Sequence, residues 1–319
     1  MHIEWFDTQG SRVLALTGTG LSLAKGFVGK TAEYKAILPD ATVSVVLADL
    51  DADGDIDIAA GSDRIPLTNA GKRRFVQEET LYKTGPVPKQ LEGAKAVTVA
   101  DLQRDGQSDL LILHDDALVV AVGTPDGLRE ALRVTAGAGS NDLVIADFSN
   151  DGRLDVALLR PKSIRMIWNL DVFAVAEAMA TEDIELAAGG PQRAVVTDFN
   201  NDGLLDLAIV TAGGKTLVLR NRGDQGFHIL STEEWPKPTT SARIIPTDVD
   251  QDGREDLAYI TEQGKITIVR NVTEGVGKSI ALFANGVRAA PSGLLTQIEV
   301  RRGGSYAYAQ SPGGCSGSA

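Results

Sequence analysis

Aspartates recur along this chain at a spacing that suits the binding of a hard divalent cation. Five nine-residue stretches, starting at residues 49, 101, 147, 198 and 248, each have Asp at positions 1, 5 and 9 and Gly at position 6. Calcium takes about six to eight oxygen ligands, and such loops supply them from alternate side chains and a backbone carbonyl, with glycine allowing the sharp turn. Carboxylates this close together repel one another unless a cation lies between them. The repeated pattern therefore predicts up to five Ca²⁺ ions that act as structural staples.

Short apolar runs flank every loop. Val43 to Ala48 precede the first loop, for example, and Leu207 to Val210 follow the fourth. Runs of this length, rich in Val, Ile and Leu, predict buried strands. A third run with alternating polarity, such as Thr216 to Asn221, and a weaker fourth run, such as Phe227 to Leu230, complete each repeat. Four strands in a repeat of about 50 residues predict an all-β fold, a β-propeller of four-stranded blades with the calcium loops between first and second strands.

The repeats also predict the domain organisation. Residues 1–285 are expected to form the propeller, with residues 1–40 as a blade that lacks a metal loop. Six blades are favoured, with seven as the alternative. The Ala- and Glu-rich segment from Asp171 to Glu185 predicts a short helix inserted between strands, and Ile280 to Phe283 a further fourth strand. Residues 286–319 are expected to be a separate C-terminal stretch with one strand and a flexible tail rich in Gly and Ser.

Composition excludes several classes of function. The formal net charge of −12 argues against nucleic-acid binding, because surfaces that bind nucleic acid are basic. No apolar run reaches the roughly 18 residues that a transmembrane helix needs. The single cysteine, Cys315, allows no internal disulfide, and the first residues predict no signal peptide in this chain. The chain is expected to be monomeric or part of a larger chain.

An EF-hand is the main alternative for the loops. That motif needs Glu at position 12 and a helix on each side. Position 12 is occupied here by Ala60, Ile112, Leu158, Ile209 and Tyr259, which all fall inside the predicted second strands. The carboxylate at position 9 must therefore close the site, and an EF-hand is excluded.

The strand-flanked loops resemble the FG-GAP or VCBS repeats of calcium-stabilised propellers, the type found in integrin α-subunit heads. The resemblance covers residues 41–275, and Ile298 to Gly304 is similar to the start of the ASPIC/UnbV segment of cartilage-acidic-protein-like sequences. It implies ligands at positions 1, 3, 5 and 9, with the position-7 residue contributing its carbonyl. These metal residues are Asp49, Asp51, Asp53, Asp55 and Asp57; Asp101, Gln103, Asp105, Gln107 and Asp109; Asp147, Ser149, Asp151, Arg153 and Asp155; Asp198, Asn200, Asp202, Leu204 and Asp206; and Asp248, Asp250, Asp252, Arg254 and Asp256. Gln103 and Ser149 depart from the usual Asp or Asn at position 3.

Two classes of function remain open from the sequence. The favoured one is a non-catalytic binding, adhesion or scaffold module that recognises a protein or a glycan outside the cytosol, being secreted, periplasmic or at the cell surface. The alternative is a polysaccharide-acting lyase or hydrolase, or an accessory module of such an enzyme. The three histidines, His2, His114 and His228, have no nucleophile or carboxylate at a recognisable spacing, so no catalytic residue is predicted.

Overall fold

The computed structural model describes residues 93–124, 128–173, 179–186, 189–231, 235–238, 244–261, 263–274 and 277. Outside these ranges it describes the backbone of strands in residues 2–77 and 297–310. Within the part of the chain described here, no helix is long and apolar enough to cross a membrane.

The described secondary structure consists of strands and one short 3-10 turn at Gly223–Gln225. The strands are β1 (His2–Trp5), β2 (Arg12–Thr17), β3 (Gly20–Lys25), β4 (Glu33–Pro39), β5 (Val45–Ala48), β6 (Asp57–Ala60), β7 (Leu67–Asn69), β8 (Phe75–Gln77), β9 (Ala96–Ala100), β10 (Asp109–Leu113), β11 (Ala117–Val122), β12 (Arg129–Thr135), β13 (Asp142–Ala146), β14 (Asp155–Leu159), β15 (Ser163–Ile167), β16 (Thr181–Glu185), β17 (Pro191–Thr197), β18 (Asp206–Thr211), β19 (Thr216–Asn221), β20 (Phe227–Ser231), β21 (Ile245–Thr247), β22 (Asp256–Ile260), β23 (Ile266–Val269), β24 (Gln297–Arg302) and β25 (Ser305–Gln310).

Consecutive strands pair side by side into separate antiparallel sheets. Five sheets have four strands each, in the orders β1 to β4, β5 to β8, β9 to β12, β13 to β16 and β17 to β20. The described strands β21 to β23 form a three-stranded sheet, and β24 pairs with β25. The prediction of an all-β fold built from four-stranded antiparallel sheets is confirmed, while the number of blades stays a prediction.

The sheets stack face to face around their first strands. Strands β5, β9, β13, β17 and β21 contact one another in chain order. Because successive side chains of a strand point to opposite faces, each middle sheet fills two cores. In β10, for example, Leu111 and Leu113 pack against the β13 to β16 sheet, whereas Leu110 and Ile112 belong to the core on the opposite face. This explains why every residue of the second strands β10, β14 and β18 is buried.

The β21 to β23 sheet has one covered face and one exposed face. Leu257 packs into the core that it shares with β18 and β19. On the other face, Ile260 and Ile266 lie opposite each other, and they are 51% and 79% exposed. Ile268, on the same face, is 45% exposed.

The helix expected between Asp171 and Glu185 is wrong for its last five residues. Residues 181–185 form β16, in which Ile184 lies opposite Ile164 of β15. Asp183 bonds the guanidinium groups of Arg160 and Arg165 at 2.8–3.0 Å. Pairing with the neighbouring strand thus outweighs the helix propensity of the Ala- and Glu-rich sequence. The fourth strand expected at residues 280–283 lies outside the described residues.

Candidate metal centres

Each described loop joins the first strand of a sheet to the second. Residues 101–109 lead from β9 to β10, 147–155 from β13 to β14, 198–206 from β17 to β18, and 248–256 from β21 to β22. In all four loops the residue at position 4 has a left-handed backbone, with φ of 53–59°, as in Asn150 and Asn201. The glycine at position 6 has φ of 84–89°. The left-handed backbone at position 6 explains why glycine is favoured there.

The position-1 carboxylate closes each described loop on itself. In the fourth loop, Asp198 accepts hydrogen bonds from the backbone N–H groups of Asp202 at 3.1 Å and Gly203 at 2.9 Å. Positions 5 and 6 donate to position 1 in the same way in the other three described loops. The local sequence therefore folds all four into one loop shape.

The position-9 carboxylate ties together three strand ends. Asp206 begins β18, accepts the N–H of Phe199 after β17 at 3.0 Å, and accepts the N–H of Asn221 at the end of β19 at 2.7 Å. Equivalent bonds from the other side of the loop and from the end of the third strand reach Asp109, Asp155 and Asp256. All four carboxylates are at most 1% exposed. The sequence motif did not predict this link, because its third partner lies 14 or 15 residues further along the chain.

Burial makes it unfavourable for these carboxyl groups to be ionised without a positive charge nearby. Desolvation raises the pKa of Asp109 to about 6 and that of Asp206 to about 7, although the backbone N–H groups act in the opposite direction. Neighbouring carboxylates of the same loop raise the pKa further. The pKa values of Asp147, Asp155 and Asp198 are raised by burial for the same reason. A cation in the loop would supply the missing positive charge.

The residues of the fifth loop fit a divalent cation. Ligand oxygens of Asp248, Asp250 and Asp256 lie within 4.8 Å of one another. Calcium–oxygen distances of about 2.3–2.6 Å place two ligands of one ion up to roughly 5 Å apart. Oxygen-only donors of this kind suit calcium and magnesium better than softer metals. Among the described residues this is the one group of three acidic side chains drawn so close.

The other predicted ligands lie around their loops in varied arrangements. Ser149 Oγ is 3.5 Å from Asp147 Oδ1, and Asn200 Oδ1 accepts the N–H of Asp202 at 3.1 Å. Gln103 is half-buried at the edge of its loop. The position-7 residues Gln107, Arg153, Leu204 and Arg254 donate their backbone N–H to the position-5 carboxylate at 2.9–3.0 Å. The side chains of the first loop, Asp49 to Asp57, lie outside the described residues.

Arginines neutralise part of the acidic charge. Arg254 pairs with Asp252, Arg270 with Asp250, and Arg153 with Asp151 at 3.0 Å. Burial acts to raise the pKa of Asp151, but hydrogen bonds and charge from Arg153 outweigh it and lower that pKa. These guanidinium groups compete with a metal ion for the same carboxylate oxygens.

Side chains connect neighbouring loops across the sheet boundaries. Asn221 Nδ2 donates to the Phe148 carbonyl of the preceding loop at 2.8 Å, and Asn271 Nδ2 donates to the Phe199 carbonyl at 2.6 Å. In the forward direction, Asn201 Nδ2 donates to the Gly253 carbonyl at 2.8 Å. Arg104 likewise donates to the Gly152 carbonyl. Each described loop is therefore held by its neighbour as well as by its own sheet.

Comparison with known proteins supports the repeats and the fold. Residues 101–158 and 198–259 match the model of the FG-GAP-like repeat. An Agrocybe aegerita lectin that recognises non-reducing terminal N-acetylglucosamine matches with a TM-score of 0.57 and 15% identity, over 87% of this chain and 77% of the lectin. BBS1N, solved in complex with ARL6DN, matches with a TM-score of 0.50 and 11% identity, over 84% of this chain and 76% of BBS1N. No curated protein matches in sequence.

At such identities the similarity to solved structures establishes the fold alone. Each matched segment contains two of the four described loops. All four loops have the buried carboxylate at position 9 and the left-handed glycine at position 6. The chain thus carries FG-GAP-like repeats at residues 101–158 and 198–259 within an all-β, propeller-like fold.

Proposed function

We propose that this chain is a calcium-stabilised recognition or scaffold module that binds a protein or a glycan and is not itself catalytic. The observation that carries the proposal is the buried position-9 carboxylate, which recurs in every described loop at the junction of three strands. A charge buried there is unfavourable alone and favourable beside a cation. Calcium would thus hold the sheets in place, while other surfaces contact the ligand.

The metal's contribution would be architectural. When bound, calcium supplies positive charge to carboxylates that already hold the loop backbone. The side chains of this chain supply the positioning: Asp198 fixes the turn, and Asp206 fixes the strand ends. Ions that bind only the folded chain add stability by mass action. Sites of modest affinity fill where calcium is millimolar, which supports a role outside the cytosol.

The first strands favour recognition over catalysis. Polar groups of β13 and β17 are engaged with each other: Arg193 of β17 donates to Asp142 of β13 at 3.2 Å, and Nδ2 of Asn141, the residue before β13, donates to the Pro191 carbonyl of β17 at 3.1 Å. A hydrolase or lyase needs acid and base groups held ready for a substrate. Polar groups that hold adjacent sheets together suit a scaffold better.

Both proposed ligand classes are represented among the structural neighbours. One is a lectin and the other was solved with a protein partner. These similarities concern the fold, so they motivate testing both classes rather than choosing between them.

The test measures calcium binding and ligand binding separately. Protein stripped of metal is titrated with calcium by calorimetry, and its melting temperature is measured with and without calcium. A concentration of 2 mM is used because the dissociation constants of weak extracellular sites reach about 1 mM. We expect several ions to bind and the melting temperature to rise. The same samples are applied to glycan and protein arrays, with a polysaccharide panel as the assay for turnover. No calcium binding, or product release from the panel, would contradict the proposal.

A further inference from the structure

The connection between β15 and β16 differs from those in neighbouring sheets. It spans residues 168–180, whereas the corresponding connections span residues 123–128 and 222–226. Its first half folds back on the two adjacent metal loops. Leu170 donates its N–H to the Leu154 carbonyl at 2.8 Å, and both side chains are buried.

Phe173 stands out on this connection. Val172 beside it is 7% exposed and belongs to the core, whereas the Phe173 ring is 78% exposed. The turn is set by Asp171, whose Oδ1 accepts the Phe173 N–H at 2.8 Å. The buried Val172 and the hydrogen bond from the Phe173 N–H to Asp171 thus hold the backbone in place, while the Phe173 ring faces solvent. An aromatic face held exposed in this way is available to a ligand that lies beside it.

The ring borders a cleft between two metal loops. The cleft has a volume of about 240 Å³ and is lined by parts of the loops at 101–109 and 147–155 together with residues 170–173. Its polar lining includes Gln103, Arg104, Arg153 and Asp171, and its apolar lining includes Leu154. The contact between Arg104 and the Gly152 carbonyl holds the two loops together across the cleft.

We propose that this cleft binds one pyranose ring of a glycan, stacked on Phe173. The cleft is smaller than the roughly 300–1,000 Å³ of sites for drug-sized ligands, which suits a single monosaccharide unit. A sugar presents apolar C–H faces and hydroxyls that both donate and accept. An exposed ring beside guanidinium donors and a carboxylate acceptor offers partners for all three. The proposal rests on the recognition function above and specifies where and what the module binds.

A peptide that inserts an apolar side chain is a competing ligand for such a cleft, and the charges argue against it. An apolar peptide side chain would desolvate Arg104, Arg153 and Asp171 without satisfying their hydrogen bonds. Hydroxyl groups can replace the water that these side chains lose.

The experiment compares three variants on a glycan array in 2 mM calcium. Phe173→Ala removes the ring, Phe173→Trp keeps an aromatic face, and Ile266→Ala removes an equally exposed side chain, 79% against 78%, on another sheet. Both truncations remove solvent-exposed groups, so equal melting temperatures verify that each variant is folded. The best glycan on the array is then titrated by calorimetry against all four proteins.

We expect Phe173→Ala to weaken glycan binding by about tenfold or more, as truncation of a central aromatic does. Phe173→Trp should bind within a few-fold of the parent protein, and Ile266→Ala should bind as tightly as the parent. If Phe173→Ala binds glycan as tightly as the parent protein, the assignment of the glycan to this cleft is refuted, while the proposed recognition function still stands. Binding that depends on Phe173 only on the protein array would also overturn the sugar assignment. A parent protein that binds on neither array would refute the recognition function itself.

Discussion

The pH dependence of stability tests the electrostatics of the loops directly. In metal-free protein the pKa of Asp206 is raised to about 7 and that of Asp109 to about 6, from an ordinary value of 3.8. A carboxyl with a raised pKa binds its proton more tightly in the folded chain than in the unfolded chain. Its stabilising contribution is complete below pH 3.8 and is lost as the pH rises through 6 and 7. The free energy of unfolding of the metal-free protein should therefore increase as the pH is lowered from 8 to 5.5.

The expected size follows from the two pKa values. For Asp206, going from pH 8 to pH 5.5 shifts the unfolding free energy by about 2 kcal/mol, because the folded carboxyl becomes protonated while the unfolded one stays ionised. For Asp109 the same change contributes about 0.8 kcal/mol. The sum, about 3 kcal/mol, is a large part of the roughly 5–15 kcal/mol that stabilise a typical domain. The raised pKa values of Asp147, Asp155 and Asp198 act in the same direction.

Calcium should reverse this dependence, because it binds the ionised carboxylates. The increase in stability on adding 2 mM calcium is therefore expected to be largest at pH 8 and to shrink towards pH 5.5. The assay is urea unfolding at four pH values, using protein stripped of metal and exchanged into metal-free buffer. A buffer without chelator is needed because acid weakens common calcium chelators.

Asp206→Asn is the matched control, since it keeps the shape of the side chain and cannot titrate. Its metal-free stability should change with pH by about 2 kcal/mol less than that of the parent protein. If the metal-free parent loses stability on acidification to pH 5.5, or if Asp206→Asn follows the parent at every pH, the account of these buried charges is wrong.

Three further predictions concern single contacts. Asn221→Ala removes the 2.8 Å hydrogen bond to the Phe148 carbonyl and should lower the unfolding free energy by about 1–3 kcal/mol, measured by urea titration. A smaller loss would show that this bond between sheets is weak. Gly203→Ala should cost about 1–2 kcal/mol because φ is 87° there, with nothing within 4 Å to clash. Arg254→Gln removes the ion pair with the position-5 carboxylate, Asp252, and should raise the calcium affinity measured by calorimetry a few-fold. The control is Arg133→Gln, which removes a surface ion pair with Glu130 outside the loops.

The local part of the loops could be predicted from the sequence. Asp at positions 1 and 5 and Gly at position 6 interact over two to five residues, so their spacing fixes the turn that is found at 198–206. The strands on either side follow from short Val-, Ile- and Leu-rich runs, because those residues fill both faces of a buried sheet. Repetition at a period near 50 residues then identifies the four-stranded sheets.

The contacts that join the loops could not be predicted in this way. Asn221 reaches Phe148 across 73 residues, and nothing in the local pattern distinguishes this Asn from one in an ordinary turn. The same limit explains the wrong helix at 181–185, where pairing with β15 and the bonds from Arg165 to Asp183 decide the structure. The exposure of Phe173 depends on which neighbours are buried, which is also a property of the packed chain.

The positions of the charged groups explain why calcium binding would affect the packing of the sheets. Asp206 holds three strand ends of one sheet, and Asn221 extends the contact from that junction to the sheet before it. A cation that neutralises Asp206 would therefore act on the packing of two sheets and not on one loop. Phe173 and its cleft lie on a connection whose anchors, Leu170 and Val172, sit in the core beside those loops. We infer that calcium sets the geometry on which recognition depends, so that chelation should weaken ligand binding even though Phe173 is not itself a predicted ligand of the metal.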